Sequence, residues 1–481
     1  MSIMTGGMRP TRARPATPAA RATALATALA IALAGGPARA QPAPMNVGVP
    51  LIRDAEIEQL LRDYTTPVLR AAGLGPQNIQ VVIINDRTFN AFVMDGRRIF
   101  VNTGALIEST TPNQIIGVLA HETGHIAGGH LAKMRQEMAN AQTQMIIATV
   151  LGIGAVVAGA KSGAGGSSGI GQVGMAALSA PQEIIRRSLL SYVRQQEEQA
   201  DKAGVKFLTA TGQSAKGMYD TFKRFADQTM FSAHGVDPYV QSHPMPAERV
   251  RALEEVARTS PYWDKKDSPE LQARHDLMRA KLAGFMDRPD TVARRYPLSD
   301  TSLPARYARA ISAYRFSDIR NAVGQIDSLI QTQPNNPYFH ELKGQALMES
   351  GRGAEAVAPL RRAAALAPHS GLIRALLAQA LVSTNDRKHA EEAIGILREV
   401  LLQEKELVSG YRELAMAYGQ KGDLAQADLA SAQASFASGD FQTARELAAR
   451  AKTRLPTGSP AWVRADDIAT YRPKGGSIGR P

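Results

Sequence analysis

Two histidines and a glutamate on one turn of an apolar helix, His121-Glu122-Thr123-Gly124-His125, constrain this chain more than any other feature. Residues four apart on an α-helix lie about 40° apart around the axis and one turn up, so His121 and His125 face the same side. Two imidazoles placed there can grip one ion, and Glu122 can reach a water bound to it. This is the H-E-x-x-H arrangement, in which the ion is usually Zn²⁺ and the glutamate is the general base of a metalloprotease. The flanks predict the helix. Thr111-Pro112 supplies an N-cap and a proline at the first helical position, and Ile115, Ile116, Val118, Leu119 and Ala120 run into the motif.

A catalytic zinc needs a third protein ligand and keeps a fourth position for water. The polar, helical stretch Ser191 to Phe207 contains Glu197-Glu198-Gln199-Ala200-Asp201, with Glu197 and Asp201 on one face. The set reads as one Zn²⁺ per chain on His121, His125 and Glu197, with Asp201 accepting from a ligand imidazole. H-E-x-x-H followed by E-x-x-A-D resembles the gluzincin peptidases, which include the CaaX prenyl proteases, the heat-shock protease HtpX and the periplasmic BepA-type proteases. Two further segments carry the resemblance. Asn90-Ala91-Phe92, with the tight-turn pair Asp95-Gly96 and the run Arg98 to Gly104, is similar to the hairpin that precedes the family's zinc helix. In the family an edge strand here pairs with extended substrate, so the resemblance implies substrate binding at Asn90, Ala91 and Phe92. Ser242-His243-Pro244, with Arg249, is similar to the family's "HP…R" segment. The resemblance implies that His243 and Arg249 stabilise charge on the scissile carbonyl, or that His243 takes the fourth zinc position and leaves the enzyme latent.

His130 fails as a third ligand. A metzincin needs a histidine six residues after the second, where Leu131 stands, and His130 lies about 140° around a continued helix from His125. It is therefore expected to face away from the ion. His234, His275, His340, His369 and His389 sit in no ligand spacing. Gly165-Gly166-Ser167-Ser168-Gly169 matches G-x-S-x-G formally, but a Gly/Ser-rich link with no strand before it is not a nucleophile elbow.

Residues 1–40 hold five arginines and no acid, an apolar stretch from Ala22 to Ala34, and Ala38-Arg39-Ala40 before Gln41. This predicts a signal peptide for Sec export to the periplasm, cleaved after Ala40. The chain has no cysteine, so neither disulfides nor lipoprotein processing is expected. A net charge of +12 is spread along the chain without a nucleic-acid-reading motif, which argues against nucleic acid as a partner and leaves peripheral contact with an anionic membrane. Between the two zinc motifs, residues 144–181 form an apolar and Gly/Ser-rich insert. Its first apolar run, Met145 to Ala160, falls short of the roughly 20 residues that span a bilayer. A hydrophobic hairpin over the active site or on a membrane, or a core helix, both remain open.

From Leu303 the chain turns Ala/Leu-rich, and Pro334 and Pro368 stand one tetratricopeptide period apart. Gly344, Leu347, Ala356, Leu360 and Ala363 fall on the small and large positions of one unit. Leu377, Ala378, Leu381, Ala393 and Leu397, then Leu414, Ala415, Tyr418, Gly422 and Ala427, then Gly439, Ala444, Ala451 and Pro456 fill later ones. The expected fold is α+β but mainly α: a gluzincin domain, with a zinc helix and a small β-sheet, followed by an all-α repeat solenoid. Boundaries are expected at 1–40 (signal), 41–265 (peptidase), 266–302 (linker), 303–465 (repeats) and 466–481 (basic tail). The BepA-type resemblance covers nearly all of the mature chain. It implies degradation of misfolded or stalled outer-membrane proteins, the barrel-assembly machinery as a partner through the repeats, and chaperone-like help. The competing readings are a latent peptidase acting as a repeat-based scaffold, and an integral-membrane protease of HtpX type.

Overall fold

A computed structural model describes residues 50–143, 169–231 and 238–472, the side chains of 169–186 and 229–231 aside. The signal segment, the first part of the insert and the end of the basic tail lie outside the described residues. A sheet of four short strands is ordered β1-β2-β4-β3: β1 (Leu51–Ile52), β2 (Gln80–Ile84), β3 (Ala91–Asp95) and β4 (Arg98–Asn102). β2 and β4 are parallel, while β3 and β4 form the expected hairpin, with Phe92 opposite Phe100 and a bulge between Val93 and Asp95. β3 is therefore an edge strand. α1 (Ala55–Ala71) begins at Asp54, whose carboxylate accepts from the Ile57 N–H, and buries Ile57, Leu60, Leu61, Tyr64 and Val68 in the core.

After β4 the chain turns at once into α2 (Thr103–Glu108). Gly104 sits where a Cβ would meet the Arg87 and Thr88 carbonyls, so only glycine lets the two backbones meet there. α3 (Pro112–Ala127) carries the His-Glu motif. It starts as the sequence predicts, with Thr111 at the N-cap and Gln114 completing a capping box. Its residues from Ile115 to Gly124 are all buried, so it runs through the middle of the domain. α3 ends at Gly128, Gly129 adopts φ +62°, and a new helix, α4, covers 130–143. α5 (Gly169–Ala210) begins far upstream of the stretch expected to be helical, inside the insert. α6 (Lys216–Phe231), α7 (Pro238–Ser242) and α8 (Ala247–Arg258) complete the wall around α3. Among the described residues no helix is long and apolar enough to cross a membrane.

The segment 266–302 is not a linker. α9 (Pro269–Met286) and α10 (Pro289–Arg295) occupy it. α9 buries Met278 and Leu282 in the peptidase core and Leu277 against Tyr307 and Ile311 of the helix Leu303–Phe316. Its buried face also contains His275 and Lys281, so the sequence shows no clean apolar stripe there. Ten further helices, α11 (Leu303–Phe316) to α20 (Pro460–Thr470), form a helical array consistent with a solenoid. Leu360, Ala363, Leu381, Ala393, Leu397, Ala444 and Ala451 are buried in it, and a Cβ on Gly344 would strike the Leu360 side chain. The last helix continues to Thr470, past the expected boundary at 465.

Candidate active site

α3, α5 and the loop before α8 meet at four side chains. His121, His125, Glu197 and His243 each offer one ligand atom, all within 4.8 Å of one another. His121 Nε2 lies 3.0 Å from His125 Nε2 and 3.3 Å from His243 Nδ1. Glu197 Oε2 is 3.0 Å from His243 Nδ1 and 3.4 Å from His121 Nε2, and its Oε1 is 3.4 Å from His125 Nε2. Ligand atoms bound tetrahedrally to zinc at about 2.0–2.1 Å stand about 3.3–3.4 Å apart, so the observed edges fit such an ion. Three imidazole nitrogens and a carboxylate gathered in one buried space are the donor set such an ion takes.

The close approach of the helices is written in small residues. A Cβ on Gly124 would lie 2.7 Å from the Ala200 carbonyl oxygen, and one on Gly204 would touch the Ala120–His121 backbone. The glycine inside the His-Glu motif and the alanine between Glu197 and Asp201 are thus facing partners at one crossing.

Around the ligands stands a polar frame. Asp201 Oδ1 lies 2.8 Å from His121 Nδ1, and the carboxylate accepts from Arg249 Nε and Nη2 at 2.7 and 2.8 Å. Arg249 Nη1 reaches Glu197 Oε2 at 2.8 Å and donates to the Pro244 carbonyl at 2.9 Å. Arg249 therefore does not point into the cleft toward a scissile carbonyl. Its donors are spent on two carboxylates and on the loop that carries His243. Burial would raise the Asp201 pKa, but the Arg249 guanidinium outweighs it and holds the carboxyl down at about 2. Burial likewise works against Glu197, yet His243, His121 and Arg249 keep it well below the ordinary carboxylate range. Burial pulls His121 down, while Asp201 and Glu197 push it up to about 9.

Glu122 is fully buried and neither of its carboxylate oxygens has a hydrogen-bond partner among the described residues. Burial pushes its pKa up, opposed by the His243 and His121 charges. His243 Nε2 is 3.4 Å from Glu122 Oε1, and Tyr239 packs its ring 4.8 Å from that of His243. A cleft of about 360 Å³ opens beside them, lined by Phe92, Glu122, His125, His130, Glu197 and His243. Of the three hairpin residues, Phe92 reaches the cleft. Ala91 is buried in the core, and the Asn90 carbonyl is held by the Asn102 N–H of β4.

His130 does not face away from the site. Its Nδ1 lies 3.0 Å from His125 Nδ1, and the rings meet edge-on at 5.0 Å. On one continuous helix His130 would face away from the ion, but the break at Gly128–Gly129 swings it back beneath His125. The Gly-Gly pair before His130 was the signal in the sequence that could have found this.

Residues 52–257 match peptidase family M48. The chain is 22% identical over 431 residues to the beta-barrel assembly-enhancing protease of Yersinia pestis, covering 88% of this chain and 84% of that protein. It is also 22% identical to the protein of that name from Escherichia coli, covering 87% and 83% of the two chains. The metalloprotease LoiP of Escherichia coli is 30% identical over 184 residues, 37% of this chain and 62% of that one. The chain is a metalloprotease that carries a peptidase family M48 domain and is homologous over most of its length to the beta-barrel assembly-enhancing proteases.

Proposed function

We propose that this protein is a zinc endopeptidase of the periplasm that degrades misfolded or stalled outer-membrane β-barrel proteins. The observation that supports it best is the convergence of His121, His125, Glu197 and His243 beside a buried, unpartnered Glu122. Lewis-acid polarisation of the peptide carbonyl and acidification of water are the chemistry that zinc supplies in such a site. His121, His125 and Glu197 would hold the ion, and Asp201, 2.8 Å from His121 Nδ1, would keep that ring's proton there. Glu122 takes the proton of the attacking water on a carboxylate oxygen and passes it to the leaving amide nitrogen. Burial, which raises its pKa, favours the proton on the carboxylate. Phe92 on edge strand β3 lines the path of an extended peptide, whose main chain can pair with the strand whatever its sequence.

The substrate class and the barrel-assembly machinery as partner rest on the names of the homologues and on the helical array, read here as tetratricopeptide repeats that select partners. The apolar leader before Gln41 supports the periplasm. His243 favours a second element of this reading, a latent resting state. Its Nδ1 lies close enough to His121 and Glu197 to be a fourth ligand in the place of water. Removing metal with a chelator and restoring one equivalent of zinc tests the proposal: cleavage of an unfolded β-barrel protein is expected to be lost and then regained. Cleavage that survives complete zinc removal would overturn it. His243→Ala is expected to cleave faster than wild type if His243 restrains the site.

A further inference from the structure

We propose that His130 is a positioning residue for the metal site: its Nδ1 accepts the Nδ1–H of His125 and fixes that ligand's tautomer and ring angle. The inference rests on the zinc reading above and concerns a residue outside the H-E-x-x-H and E-x-x-A-D motifs. His125 presents Nε2 to the cluster, 3.0 Å from His121 Nε2 and 3.4 Å from Glu197 Oε1. A neutral imidazole carries one proton, so with Nε2 given to an ion the proton of His125 sits on Nδ1. The group 3.0 Å from that nitrogen is His130 Nδ1. His130 must then be the acceptor, with its own proton on Nε2. The Gln199 side chain hydrogen-bonds to His130 and can take that proton on its amide oxygen. The result is a chain from Gln199 through His130 to His125, which ends at the ion.

The backbone is shaped for this contact. A Cβ on Gly128 would lie 2.3 Å from His130 Nε2, so glycine leaves the space the imidazole fills. Gly129 takes φ +62°, which few other residues adopt without strain, and its turn brings His130 back under the helix. The Gln196 side-chain amide Nε2–H donates to the His130 carbonyl at 3.2 Å and ties the turn to α5. His130 is only 3% exposed, and a buried imidazole is costly unless it is hydrogen-bonded. The two ligand histidines thus have unlike outer partners. His121 is backed by the charged Asp201 and His125 by a neutral ring. A ligand's outer partner typically contributes about 10–100-fold in metal affinity.

The test is zinc affinity of the full-length protein, measured with Zn²⁺ against a competing chromophoric chelator, for wild type, His130→Leu and His130→Asn. The leucine fills the space without an acceptor. The asparagine places an amide oxygen near the position of Nδ1. His130→Leu is expected to weaken zinc binding about 10–100-fold, and His130→Asn to stay within about threefold of wild type. The visible spectrum of the Co²⁺-loaded leucine variant should also shift, because His125 is freed to rotate. Wild-type affinity in His130→Leu, or equal loss in both variants, would overturn the proposal. Should the leucine variant fail to fold, His130→Ala takes its place in the same comparison. Wild-type protein that binds no zinc would instead refute the reading of the whole site, a result distinct from either.

Discussion

Arg249 shows at the scale of one residue how the site is held together. Its guanidinium is 5% exposed and faces two carboxylates, Asp201 and Glu197, and the Pro244 carbonyl. Removing one partner of a buried charge cluster leaves the others uncompensated, which costs about 3–5 kcal/mol. Arg249→Met is therefore expected to lower the stability of metal-free protein by about that amount, measured by urea unfolding. The loss should be smaller with zinc bound, because the ion supplies positive charge to Glu197. An unchanged urea midpoint would show that the cluster is not held by this charge. His121, His125, Glu197 and Asp201 were legible in the sequence because i, i+4 spacing on a helix fixes which side chains share a face. The aim of Arg249 was not legible, since nothing in one strand of sequence says whether a guanidinium meets a substrate or a neighbouring carboxylate. His130 was misjudged because one residue with positive φ, Gly129, redirects everything after it.

At the scale of elements, the crossing of α3 and α5 sets the distance between the histidine pair and Glu197. Gly124 lies against the Ala200 backbone, with no room for a side chain. Gly124→Val is expected to cost about 1–3 kcal/mol through overpacking and to weaken zinc binding, because Glu197 is pushed from His125. Equal zinc affinity in wild type and variant would show that the crossing does not set the ligand geometry. α9 is tied to α1 and to the loop after α2 by a buried histidine. His275 Nε2–H donates to the Ser109 carbonyl at 2.8 Å, so Tyr64 O–H donates to His275 Nδ1 at 2.9 Å. Burial lowers the His275 pKa to about 4, below the unfolded value of about 6.5. The unfolded chain thus takes up this proton first as pH falls, and stability is lost between about pH 6.5 and 4. His275 should account for about 2 kcal/mol of the stability lost between pH 7 and 5. In His275→Asn the fall over that interval is expected to be smaller by this amount, and an equal fall in both proteins would contradict it. The hairpin β3–β4 and the start of α3 were readable from Asp95-Gly96 and Thr111-Pro112. α9 was not, because polar residues on its buried face hide the helical period.

At the scale of the molecule, the start of α1 is clasped by α9 together with the helical array. Lys281 on α9 meets Asp54 at 2.8 Å and Glu56 at 3.2 Å, and Tyr307 on α11 donates to Glu56 at 2.9 Å. Arg53 reaches Glu404, just past α16, at 2.8 Å. A cavity of about 450 Å³ lies beside these contacts, between the peptidase domain and the inner helices of the array, lined by Glu341, Leu376 and Glu413 among others. Lys281 is nearly fully buried with its acids. Lys281→Met is expected to destabilise the chain by about 3–5 kcal/mol in urea unfolding, and an unchanged midpoint would show that these charges do not join the two parts. The helical character of residues 303–470 was visible in the sequence because small residues recur where helices touch. The ionic joint was not, because it brings together residues hundreds of positions apart. His121, His125 and Glu197 are proposed to form one zinc-dependent catalytic unit with Glu122. The most direct measurement compares wild type with Glu122→Gln, each loaded with one zinc per chain, for cleavage of an unfolded outer-membrane β-barrel protein. Equal zinc content is expected, with cleavage by the wild type and a loss of at least about 100-fold in the variant. Undiminished cleavage by Glu122→Gln would contradict it.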